Sequence, residues 1–120
     1  MKRVVVSGLG VVSCLGNNQD EVYKSLLNAK SGITFSEEYK EYNLKSNVHG
    51  KPNIKLEDHV ERKFIRFMGP GSAYNYIAMN EAVKDSGLDE KDISNISTGM
   101  IMGSGGPSIA NVILAADKTR

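Results

Sequence analysis

Apolar residues enter this chain as a block. Val4-Val5-Val6 and Val11-Val12 flank the interruption Gly8-Leu9-Gly10. A β-branched run of this kind predicts a strand covered on both faces, as in a parallel sheet between helix layers. The pattern then turns helical. Asn17-Asn18 predicts an N-cap, Val22, Leu26 and Ala29 recur at helical spacing, and Gly32 predicts the helix exit. From Ser36 to Lys55 the chain is polar and rich in Lys and Asn, which predicts short elements at most. Asp58-His59-Val60-Glu61 has the form of a capping box, predicting a short helix from His59 that Gly69-Pro70-Gly71 stops. Ser72 predicts the cap of a second helix running to Ser86, with Gly87 just past its end. Its apolar residues spread around most of the circumference, the mark of a buried helix.

After a polar connection from Leu88 to Ser97, Met100-Ile101-Met102 predicts a short strand. The turn Gly103-Ser104-Gly105-Gly106-Pro107 and a helix from Ile109 to Ala116 follow. Strand, helix, irregular segment, helix, helix, strand, helix is an α/β order. Two strands do not make an independent sheet core, so the pattern predicts part of a larger α/β layer.

Charge narrows the classes of function. The 120 residues carry 15 Lys+Arg against 14 Asp+Glu, a formal charge of +1, which argues against a dedicated nucleic-acid binder. Hydrophobic residues at 40% and charged residues at 24% suit a soluble globular chain. A single cysteine makes a reducing cytoplasm the expected compartment. The basic then apolar N-terminus imitates a signal peptide, but glycines and β-branched valines break it, and no A-x-A site follows. No apolar run reaches the roughly 18 residues of a membrane helix, so no membrane partner is expected.

Several motifs fall short of the chemistry they suggest. Gly8-x-Gly10 invites a dinucleotide reading, yet the fingerprint needs a third glycine where Ser13 stands. A strand kink or close backbone packing explains the pair better. No Gly-Lys-Ser/Thr follows any glycine loop, and no cofactor is expected. Ser104 sits between glycines, but Met102 occupies the first glycine of a nucleophile elbow. Cys14 follows an apolar run with nothing basic close in sequence and reads as a small buried hydrophobe. His49 and His59 lack metal-ligand spacing, so no metal site is expected.

The stretch VERKFIRFM is more informative. Arg62, Lys63 and Arg66 place three cations in five residues. On a helix they fall within about 100° of arc, leaving Phe64, Ile65, Phe67 and Met68 to anchor the opposite face. Pattern alone leaves a solvated basic face and a docking site for an acidic protein both open. Membrane and nucleic acid fit less well.

In order along the chain, MKRVVVSGLGVVSCLGNN, SGITFSEEYKE, ERKFIRFM with its following helix, and GMIMGSGG resemble one family. It is the type I β-ketoacyl-acyl carrier protein synthases, the elongating condensing enzymes of bacterial type II fatty-acid synthesis. The resemblance runs over essentially all 120 residues. It implies a thiolase-like αβαβα layered fold, of which residues 1–120 would be an incomplete N-terminal half, and a homodimer. It also implies a decarboxylating Claisen condensation between an acyl thioester and malonyl-acyl carrier protein.

The family's nucleophilic cysteine, two histidines and lysine would lie beyond Arg120, so no catalytic residue is expected among these 120. Cys14, His49 and His59 match none of them. What the resemblance carries over is a docking patch for acyl carrier protein at Arg62, Lys63 and Arg66, with Lys45 where arginine is more typical. It also carries over part of an acyl pocket at Gly105, Gly106 and Pro107. Gly106 stands where type II synthases have isoleucine, and Pro107 where a small residue is usual. The alternative is a non-catalytic carrier-protein-binding module or an inactive fragment.

Overall fold

The computed structural model describes residues 3–106 and 108–120. The chain forms two compact units, Val11–Ile54 and Met1–Gly10 together with Lys55–Arg120.

In the Val11–Ile54 unit the first helix, α1 (Gln19–Leu27), starts where the Asn17-Asn18 pair predicts. The Asn18 side chain accepts from the Glu21 amide at 2.9 Å, while Glu21 accepts from the Asn17 amide at 2.8 Å. This reciprocal arrangement satisfies donors that a helix start otherwise leaves orphaned. The buried Ser25 hydroxyl donates to the Leu15 carbonyl at 2.7 Å and ties the helix to the turn before it. The exit comes earlier than the Gly32 reading. Asn28 caps the helix and Ala29 takes a left-handed φ of 50°. Gly32 serves packing instead, because a Cβ there would overlap the Cys14 carbonyl.

The polar stretch that follows holds only short elements, as expected. Strand β1 (Thr34–Phe35) pairs antiparallel with β2 (Val48–His49) in the register Thr34↔His49 and Phe35↔Val48. Between them α2 (Glu37–Glu41) is capped by Ser36, whose hydroxyl accepts from the Tyr39 amide.

The second unit is built on α4 (Pro70–Ser86). The helix begins two residues before the predicted Ser72 cap. Gly69 is the N-cap and Pro70 occupies the first helical position, where its missing N–H costs nothing and its fixed φ already suits a helix. Gly87 ends it in the left-handed conformation at φ 62°. Ala73 and Ile77 are buried and most of their α4 neighbours are half-buried.

The segment around Gly8 and Gly10 lies against the C-terminal half of this helix. A Cβ on Gly10 would overlap the Ala78 carbonyl, and one on Gly8 the Ala82 carbonyl. Ala78 and Ala82 are one turn apart on the same face. Between the glycines, the Leu9 amide donates to the Asp85 carboxylate at 3.0 Å. The glycine pair therefore permits close backbone packing, the reading the missing third glycine favoured.

Other expectations are corrected. Residues 4–6, 11–12 and 100–102 lie outside the named strands. Val4 is 90%, Val6 86% and Ile101 100% exposed, so the predicted double-sided cover is absent among the described residues. A strand exists only as one side of a ladder, and Val4–Val6 and Met100–Met102 meet no ladder partner there. The structure accordingly mixes helices with irregular segments and little strand.

The capping box at Asp58 does not start a helix. Leu56–Asp58 is a 3-10 turn with His59 closing it, and α3 (Arg62–Ile65) begins after Glu61. The polar connection contains a short helix, α5 (Glu90–Ile93). The last helix, α6 (Ile109–Lys118), is capped by Ser108, whose hydroxyl accepts from the Asn111 amide, and outruns its predicted end by one half-turn.

The glycine contact gives a direct test. In the intact protein Gly10→Ala should lower stability by about 2 kcal/mol, because a rigid backbone carbonyl occupies the space a Cβ needs. Gly99, where a Cβ meets nothing within 4 Å, is the control: Gly99→Ala should shift stability by less than about 0.5 kcal/mol. Urea unfolding of both variants measures the difference.

Candidate functional site

The basic segment is held at its root. Val60 is 2% exposed, next to a 3-10 turn that packs on both α3 and α4. From this buried point the chain emerges into a single turn of helix, with Arg66 as its C-cap. Arg62, Lys63 and Arg66 are all exposed. The apolar face is weaker than the arc predicts. Ile65 and Met68 are half-buried, but Phe64 is exposed and Phe67 is 77% exposed. A four-residue helix has too little length to bury a full stripe, so Val60 supplies the anchor and the two rings stay at the surface.

The three cations differ in their surroundings. Lys63 Nζ lies 2.7 Å from a Glu61 carboxylate oxygen and 4.7 Å from the centre of the Phe64 ring. The Arg66 guanidinium carbon lies 4.6 Å from the centre of the Phe67 ring and has no carboxylate partner among the described residues. Arg62 has none either. Lys45 is exposed in the other unit, in the stretch between α2 and β2, and is also without an ion pair among the described residues.

The glycine turn sits elsewhere on the second unit. A Cβ on Gly71, at the start of α4, would come 3.3 Å from Ser104 Oγ, and one on Gly69 would come 2.9 Å from Ser108 Cβ and Asn111 Nδ2. The turn and the start of α6 thus close over the first residues of α4. Gly103, Gly105 and Gly106 face open space, with nothing within 4 Å of a Cβ, and Gly106 has φ 155°. Pro107 lies outside the described residues. A shallow cavity of about 110 Å³, lined by residues including Gly8, Ala82, Val83, Met100 and Ile101, contains neither Gly105 nor Gly106.

Groups that resemble catalytic ones are placed for structure. Cys14 Sγ is the near neighbour of Gly50 and of Gly32, both within its own unit, and the thiol is half-buried and free. His49 stands edge-on to the Tyr39 ring at 5.3 Å, and His59 closes the 3-10 turn. No hydrogen bond joins Ser104 to a histidine among the described residues. No three His, Cys, Asp or Glu side chains gather as metal ligands there, and no helix is long and apolar enough to cross a membrane.

A family model described as Beta-ketoacyl synthase, N-terminal domain, matches residues 1–120. The chain belongs to the β-ketoacyl synthase family. The 3-oxoacyl-acyl-carrier-protein synthase 1 of Haemophilus influenzae is 42% identical over 120 residues, and that of Escherichia coli 43% over 121. Each match covers 100% of this chain and 30% of the relative. The protein of the same name from Buchnera aphidicola subsp. Schizaphis graminum is 49% identical over 110 residues, covering 88% of this chain and 26% of its own length. The chain therefore spans about 30% of the length of the synthases it matches.

Within this β-ketoacyl synthase segment, sequence reasoning missed two features. Glu61 reads as the acid of a capping box, whereas its carboxylate pairs with Lys63. Phe67 reads as an anchor, whereas it is a surface ring beneath Arg66. The helix length decides both, and no residue type signals it.

Val60 should prove the structural root of the basic segment. Val60→Ala is expected to cost roughly 2 kcal/mol in urea unfolding of the intact protein. Phe67→Ala should cost less than about 1 kcal/mol, since its ring is mostly in water.

Proposed function

We propose that these residues are the N-terminal part of a type I β-ketoacyl-acyl carrier protein synthase, a condensing enzyme of fatty-acid elongation. The carrying observation is the match of all 120 residues to a protein named 3-oxoacyl-acyl-carrier-protein synthase 1 at 42% identity. In this reading the chain is an incomplete N-terminal half of an αβαβα thiolase-like subunit. The enzyme is a cytoplasmic homodimer and needs no cofactor. Its reaction transfers an acyl group to a cysteine thiolate, removes carbon dioxide from malonyl-acyl carrier protein, and joins the carbanion to the acyl thioester. The groups that perform those steps lie outside the 120 residues.

This segment contributes recognition. Arg62, Lys63 and Arg66 form a landing surface for acyl carrier protein, an acidic partner, and Lys45, in the other unit, is a separate candidate contact. Arginine offers a planar fork to carboxylate or phosphate, whereas Lys45 and Lys63 act as point charges. Exposed pairs contribute about 1 kcal/mol or less each, so the patch mainly steers encounter and fixes orientation. Gly105 and Gly106 border the acyl pocket. The open space beside Gly105 and Gly106 supports that role, because side chains there would fill room an acyl chain could use.

The module alternative finds little support in the structure. Val60, Ala73 and Ile77 are the buried apolar residues among those described, too few for a self-sufficient core.

Arg66→Glu in the intact protein should weaken acyl carrier protein binding about tenfold at low ionic strength and flatten its salt dependence. Reversal of Arg62, Lys63 and Arg66 together should abolish it. Isothermal titration with purified carrier protein measures both, and unchanged affinity in the triple variant would refute the docking surface.

A further inference from the structure

The cations of the basic segment are not equivalent, and the difference is built into the fold. Lys63 is the cation with a carboxylate already in place, 2.7 Å away on Glu61. Glu61 immediately precedes α3 and follows the buried Val60, so its backbone is fixed where the segment is rooted. Lys63 is also held over the Phe64 ring at 4.7 Å. Two contacts therefore hold its ammonium against its own segment.

Arg66 is held differently. Its guanidinium carbon lies over the Phe67 ring, and such a contact consumes none of its N–H donors. The ring restrains the side chain while leaving the planar fork open to a carboxylate or phosphate. Arg62 has neither contact and carries a full charge at the start of the same turn.

We propose that Glu61 is an internal competitor for the docking partner: it occupies Lys63, leaves Arg62 and Arg66 as the working cations, and thereby holds affinity for an acidic carrier protein below what three free cations would give. The inference rests on the docking reading above. A partner carboxylate reaching Lys63 must displace Glu61, so that contact exchanges one ion pair for another and adds little. A partner carboxylate reaching Arg66 displaces only water. For an enzyme that must release its carrier after each transfer, a restrained patch favours turnover over tight binding.

The test is a double-mutant cycle on carrier-protein binding in the intact protein at low ionic strength, read by isothermal titration. Glu61→Gln should raise affinity about two- to fivefold, the range measured for exposed ion pairs. Most of that gain should vanish when Glu61→Gln is made in a Lys63→Ala background. Lys63→Ala alone should weaken binding clearly less than Arg66→Ala. An equal gain from Glu61→Gln with and without Lys63 would reduce Glu61 to a general negative charge and overturn the proposal. So would the absence of any gain, or a Lys63→Ala loss as large as that of Arg66→Ala. These results are separable from failure of docking itself, in which the triple reversal binds carrier protein as tightly as the unaltered protein and both readings fall.

Discussion

The approach of the N-terminal segment to α4 is the constraint on which the larger unit depends. Gly8 and Gly10 press against the carbonyls of Ala82 and Ala78, at a separation no side chain could share. Between them the Leu9 amide donates to the Asp85 carboxylate, which satisfies that backbone donor. One glycine pair, two alanines one turn apart and one acid thus fasten the start of the chain to the helix that carries Ala73 and Ile77. The same economy recurs at the other end of α4, where Gly69 and Gly71 let Ser104, Ser108 and Asn111 close over the first turn.

How much of this was legible in the sequence follows the range of each interaction. Local devices read correctly: the Asn17-Asn18 cap, the Gly87 stop and the start of the last helix at Ile109 all depend on residues a few positions apart. The start of α4 lies three residues before the one a Ser72 cap predicts, because serine has the form of a cap while proline prefers the first helical position. The side chains of the valine block and of Met100-Ile101-Met102 are those of strands. Pairing depends on neighbouring strands, which no residue inside the block specifies. The Asp58-to-Glu61 box failed for a related reason: Val60 is drawn into the core, the backbone tightens into a 3-10 turn, and Glu61 is released to meet Lys63.

At the candidate site, the charges were legible and their arrangement was not. Charge sign and spacing located Arg62, Lys63 and Arg66, but a one-turn helix changes what their neighbours do. Phe64 and Phe67, too far from the core to anchor, become ring surfaces against which a lysine and an arginine lie. Burial of a single valine is what presents these groups as a rooted surface. At the glycine turn, Gly103, Gly105 and Gly106 border free space, which their spacing along the chain does not signal.

The bond between Leu9 and Asp85 joins residues 76 positions apart. A contact of that span cannot form until the later partner exists and has taken its helical shape, and closing so long a loop is slow compared with winding a helix. During synthesis Gly8, Leu9 and Gly10 must therefore wait for Ala78, Ala82 and Asp85 to be made and wound into α4. The head of this chain is translated early and settles late, which makes its glycines a matter of timing as well as of space.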